Sequence, residues 1–144
     1  MKILFSSTLF LSILNISSAA ADSIVFIVNI ENPAVNITEK RLNDYFLKRE
    51  KVWPDRTPVR FIDRTESSER KVFLSSILNK STGELDEFWI GQKLYTGDSA
   101  PVQSASDSMS IQFVSTFKGA IGYISSKTPL RSKSVKIIEV LSDQ

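Results

Sequence analysis

Apolar positions in this chain fall into two patterns, short unbroken runs and stripes at helical spacing. "SIVFIVNI" (Ser23–Ile30) is β-branched and aromatic, nearly apolar throughout, and closed by "ENP"; it reads as a strand buried on both faces. "NITEKRLNDYFLKRE" then sets Leu42, Tyr45 and Phe46 on one helical face, behind Thr38 as a cap and Glu39 in the first turn. Pro54 and Pro58 end that helix. "VRFID" (Val59–Asp63) is a second short strand, and "DRTESSERKVF" opens a second helix with Leu74, Ile77 and Leu78 as its stripe. Ser81 and Glu84 have capping-box spacing ahead of a third apolar face, Leu85, Phe88 and Trp89, which ends near "YTGDSAP". In "SASDSMSIQFVSTFKG", Ser106 is the cap and Asp107 stands in the first turn. Met109, Phe113 and Phe117 line one side, and Lys118-Gly119 is the stop of a fourth helix. "AIGYI" and "VKIIEV" are closing strands. The order β-α-β-α-α-α-β-β predicts an α/β domain, a mainly parallel or mixed sheet flanked by about four helices.

The first residues do not belong to that domain. Lys2, the apolar run Ile3–Ile16 and the Ala19-Ala20-Ala21 site have the layout of a secretory signal peptide over 1–21, leaving a domain over 22–144. The run is shorter than the ~20 residues of a membrane span. Export to the bacterial periplasm is the expectation.

Composition narrows the chemistry. There is no histidine and no cysteine, so thiol nucleophiles, disulfides and zinc–thiolate sites are excluded. Catalysis would be confined to carboxylate, lysine, serine or tyrosine groups; no serine stands in a G-x-S-x-G context, and neither a catalytic role nor a cofactor or metal is predicted. The formal net charge of +2 is too small and too evenly spread for a nucleic-acid partner.

The second helix start is the segment with the most chemistry in it. Ser67 and Ser68 suit a cap, but Arg70 and Lys71 stand where the helix dipole disfavours cations. A bound oxyanion would offset that repulsion, received by free N–H groups, the Ser67 and Ser68 hydroxyls and the Arg64 guanidinium, with Arg70 as a secondary contact. Glu66 and Glu69, or other acids nearby, would offset it equally well.

Three separated segments, "LNDYFLKREKVWPD", "VRFIDRTESSERKVF" and "FVSTFKGAIGYI", match in order and spacing those of a known family. The chain resembles the phosphate-binding subunits of bacterial ABC-type importers, within the type II periplasmic binding protein superfamily, from about Val28 to Ser126. Those subunits hold phosphate between two lobes; this chain is similar to the second lobe alone. The resemblance implies a single-lobe domain binding phosphate or a similar oxyanion, linked to ABC-type uptake, with a membrane transporter or envelope protein as partner. Arg64 matches the family's arginine, and Ser67 or Ser68 matches the serine of its "SGT" helix start. The glycine of that start is replaced by Ser68 or Glu69 and its threonine by Glu69 or Arg70. Lys48 stands in place of the glycine of "FLG". A homodimer setting two lobes face to face would rebuild a cleft. The alternative is a protein-interaction module that kept the fold and lost the ligand, with an exposed apolar patch including Trp53 and Phe46.

Overall fold

The structure, a computed structural model, describes residues 23–143; the predicted signal peptide lies outside the described residues. Six strands and four helices form one mixed sheet with helices on both faces. The strands are β1 (Ile24–Asn29), β2 (Asn36–Thr38), β3 (Arg60–Arg64), β4 (Val102–Ser104), β5 (Ala120–Ser125) and β6 (Val135–Leu141). The helices are α1 (Glu39–Phe46), α2 (Ser68–Phe73), α3 (Thr82–Tyr95) and α4 (Asp107–Thr116); a π-helical turn, Leu74–Leu78, continues α2. The sheet order is β2-β6-β1-β5-β3-β4. β1 is antiparallel to both β5 and β6, whereas β3 runs parallel to β5 and β4. The expected α/β class, mixed sheet and four helices are all present. β2 and β4 have three residues each, too short to show a period of two, and were not predicted.

The predicted caps form. Thr38, Ser67, Ser81 and Ser106 each accept a hydrogen bond from the backbone N–H three residues on, at 3.1 Å in each case. Glu84 adds to its cap by accepting from the Ser81 hydroxyl at 3.2 Å.

Two cores lie on opposite sides of the sheet. The larger gathers Phe26, Tyr45, Phe46, Phe61, Phe73, Trp89 and Tyr123 under α1, α2 and α3. Phe73 is fully buried, its ring stacked on Tyr123 at 4.5 Å and edge-on to Phe46 at 4.9 Å. The smaller packs Val114 of α4 over Ile27, Ile62 and Ile124. α4 corrects the expected stripe in part: Phe113 and Phe117 pack partly buried against this core, but Met109 is 51% exposed and the fully buried residues are Ser110 and Val114. The exposed patch expected at Trp53 and Phe46 is also corrected, since both are core residues. Trp53 meets Tyr45 edge-on and donates its indole N–H to the Gly119 carbonyl at 2.9 Å.

Three backbone positions explain sequence details. Lys48, in place of the glycine of "FLG", follows the α1 C-cap at φ 58°, a left-handed conformation that glycine adopts without strain. Gly119 was expected to cap α4, but the cap is Phe117. Gly119 instead lies where a Cβ would stand 1.9 Å from the Pro58 carbonyl oxygen, so it is a close-approach glycine. Gly122 is another, as its position inside a strand suggested: a Cβ there would meet Ile62 Cγ2 at 2.5 Å.

Candidate functional site

β3 and β4 are neighbouring parallel strands, paired Ile62 to Val102 and Arg64 to Ser104. β3 leads through a short turn into α2, on the face of the larger core; β4 leads into α4, on the opposite face. The chain therefore diverges to both sides of the sheet at the carboxyl ends of β3 and β4. Such a point is where open α/β sheets place ligands. Two serine-capped helix starts, at Ser67 and Ser106, border it. Neither helix can bond its own first N–H groups internally; those of Ser68 and Glu69 in α2 have no intrahelical acceptor.

Charge at this edge is arranged in two pairs. Arg64, 7% exposed at the end of β3, donates through one terminal nitrogen to Asp107 in the first turn of α4. Asp107 also accepts from the Ser125 N–H at 3.1 Å and the Thr128 hydroxyl at 2.6 Å. This one carboxylate thus ties the ends of β3 and β5 to the start of α4. The Nε of Arg64 is buried and without a hydrogen-bond partner among the described residues.

Arg70 answers the question of a cation in a helix start. Its side chain is 9% exposed and its Nε donates to Asp63 at 3.3 Å. Asp63, 4% exposed, also accepts from the Tyr123 hydroxyl and, at 2.8 Å, from the Arg64 N–H. The charge of Arg70 is therefore neutralised beneath the helix and does not face the dipole alone. The Tyr123 phenol is pushed up from its ordinary 10.0, first by burial, then by the Asp63 charge and the hydrogen bond to it. Ser68, the first residue of α2, is exposed, and its cap Ser67 is half-buried.

The sequence placed Arg64, Ser67, Ser68 and Arg70 around one helix start, and the structure keeps them on β3 and the first turn of α2. Asp63, Asp107 and Tyr123 were not read as partners of this segment. Asp107 carried a signal, an acid in a first turn; its pairing with a residue 43 positions away did not. Among the described residues there is no group of three or more acidic side chains that could hold a metal ion. No helix among them is long and apolar enough to cross a membrane.

No protein-family model and no curated protein matches this sequence. Solved structures do. An ABC-type phosphate transport receptor from Vibrio cholerae superposes with a TM-score of 0.62 at 22% identity, over 83% of this chain and 46% of that one. A putative phosphate ABC transporter substrate-binding protein with bound phosphate, from Clostridium perfringens, gives 0.59 at 22% identity, over 83% and 45%. PstS from Borrelia burgdorferi gives 0.65 at 22% identity, over 83% and 47%. The chain spans just under half the length of the structures it matches, and its fold is similar to the part of each that it covers.

Proposed function

We propose that this chain is a non-enzymatic, solute-binding-protein-like domain that holds phosphate or a similar oxyanion outside the carboxyl ends of β3 and β4. The observation that carries the proposal is Arg64: a buried guanidinium at the divergence point whose Nε lacks a partner among the described residues. An unmatched buried donor costs roughly 1–3 kcal/mol, a cost an oxyanion would remove. The ligand would meet Nε of Arg64, the N–H groups of Ser68 and Glu69, and the hydroxyls of Ser67 and Ser68. Arg70 would be the secondary contact, through the guanidinium nitrogens it does not commit to Asp63. Because Asp107 already takes one edge of Arg64 and Glu69 stands in the first turn, we expect weak binding. One lobe also encloses less of the ligand than a two-lobed cleft. Export and delivery to an ABC-type transporter are part of the same reading.

Isothermal titration of the purified protein with phosphate and with sulfate tests it. Binding in the millimolar range or tighter is expected, weakened about tenfold by Ser68→Ala, an exposed position where the fold is unaffected, and further by Arg64→Lys. Absence of heat with both anions, or affinities unchanged in both variants, would remove the proposal.

A second reading, a protein-interaction module, has its own observation. Ile90 and Leu94, four residues apart on α3, and the adjoining Tyr95 are 64%, 78% and 89% exposed. Envelope crosslinking from a photoreactive residue at Leu94 would recover a protein partner if this reading holds, and none if it does not.

A further inference from the structure

Two locally unfavourable features of this fold meet at one cavity. It lies beside the carboxyl end of α1 and the amino-terminal end of β3, the other end from Arg64, and measures about 220 Å³. Its lining includes Tyr45 and Lys48. Tyr45 is 1% exposed, and its hydroxyl is buried without a hydrogen-bond partner among the described residues. Lys48 is held at φ 58°, a left-handed conformation that disfavours residues with a Cβ relative to glycine. A phenylalanine at the first position and a glycine at the second would remove both penalties. Features of this kind collect at functional sites, where binding rather than stability sets the residue.

The floor of the cavity is apolar. Val59 and Phe61, two residues apart on one extended segment, turn to the same side, that of the larger core. The charges around it cancel except for one. Lys51 is taken by Asp98 at 2.9 Å, and Glu50 stands 3.7 Å from Arg41. Asp98 also accepts from the Thr96 hydroxyl at 3.0 Å. Lys48 has no ion pair among the described residues; its ammonium lies 6.0 Å from the centre of the Trp89 ring, a weak contact. The cavity therefore offers one uncompensated cation, one unsatisfied phenol and an apolar floor beside them.

Each of these groups selects part of a ligand. A carboxylate is drawn to the lone ammonium. A hydroxyl both donates to and accepts from a phenol, so it suits Tyr45. An apolar body covers Val59 and Phe61. Size sets the limits. One water needs only about 10–15 Å³ of such space, so the cavity holds a molecule of several heavy atoms. It is nonetheless smaller than the about 300–1,000 Å³ of drug-sized sites, which leaves a single ring as the size class.

We propose that this cavity binds a small monocarboxylate with an apolar body of single-ring size and a hydroxyl at its far end. The carboxylate meets Lys48, the hydroxyl meets Tyr45, and the ring lies on Val59 and Phe61. The site is independent of the oxyanion reading, whose residues stand at the opposite end of β3 and in α2.

The probes 4-hydroxybenzoate, 4-methylbenzoate and 4-hydroxybenzyl alcohol, titrated separately into the ¹⁵N-labelled protein, test the proposal. The second lacks the hydroxyl and the third lacks the charge. The expected result is saturable amide shifts centred on Tyr45, Lys48 and Val59, with 4-hydroxybenzoate binding about five- to tenfold more tightly than either of the others. Tyr45→Phe brings 4-hydroxybenzoate and 4-methylbenzoate to within about twofold of each other, and Lys48→Gly does the same for 4-hydroxybenzoate and the alcohol. Neither variant lowers the urea midpoint, because each removes a locally unfavourable feature, so lost selectivity is not lost folding. Equal affinities for the three probes, shifts centred elsewhere, no saturation with any probe, or selectivity unchanged in both variants would overturn it.

Discussion

Replacing Arg70 with methionine removes a buried cation and leaves its carboxylate partner behind. The pair is enclosed, with Arg70 9% and Asp63 4% exposed, so water screens it little. Breaking such a pair from one side costs about 3–5 kcal/mol. Asp63 would keep two donors, the Tyr123 hydroxyl and the Arg64 N–H, so the lower end applies: about 3 kcal/mol, or roughly 150-fold in the unfolding equilibrium. For a domain of this size that is a fall in Tm of roughly 10–15 °C. Urea unfolding at pH 7, followed by far-UV circular dichroism, measures it directly. Asp63→Asn in the Arg70→Met background removes the stranded charge. It should recover at least about 1 kcal/mol, giving a coupling visible in a double-mutant cycle. Oxyanion affinity of the folded Arg70→Met protein should change less than that of Arg64→Lys, because Arg70 is anchored first by Asp63. A stability loss under about 1 kcal/mol, the worth of a solvated pair, would refute the account of why a basic helix start is tolerated here.

Other expectations concern packing, backbone and protons. Gly122→Ala should cost about 1–3 kcal/mol in urea unfolding, since its Cβ would press on Ile62 Cγ2. Gly119→Ala, which meets the Pro58 backbone, should cost more and lower soluble yield. The Tyr45 hydroxyl is buried without a partner among the described residues, while its ring meets Trp53 edge-on. Tyr45→Phe should therefore be stabilising by about 0.5–1.5 kcal/mol, and a loss of stability would show that the hydroxyl is satisfied. Lys48→Gly should stabilise by about 0.5–1 kcal/mol by relieving the left-handed backbone, with the weak contact of Lys48 over the Trp89 ring as a small offset; a lower urea midpoint would refute this. Burial, with the Glu50 charge adding to it, pushes the Tyr45 phenol up from 10.0 to about 12, and Tyr123 is raised as well. Both favour the protonated folded state. Above pH 10 the unfolded chain releases protons that the folded one retains, so stability should be flat from pH 7 to 9 and fall between about pH 10 and 12. Tyr45→Phe should make that fall shallower.

Much of the architecture was legible because it is written in local pattern. The unbroken run Ile24–Val28 identifies a central strand, and Leu42, Tyr45 and Phe46 identify the buried side of α1. Each serine or threonine cap was visible because capping is a contact three residues long. Arg64, Ser67, Ser68 and Arg70 were found for the same reason, as neighbours in sequence at one strand-to-helix turn. The tertiary structure decided what those residues face. That Asp107 meets Arg64 across the β3–β4 divergence depends on strand order, which brings together segments more than 40 residues apart, and that Arg70 turns to Asp63, seven residues away, depends on how α2 packs beside β3. α4 makes the same point: Phe113 and Phe117 pack against the core as their spacing suggested, but the position of the helix over Ile27, Ile62 and Ile124 buries Val114 and Ser110 most deeply and leaves Met109 exposed. Sequence fixes which surface an element could bury, because that follows from side-chain spacing. Only the packed sheet determines which charges become partners, because that depends on distances between strands that local spacing does not encode.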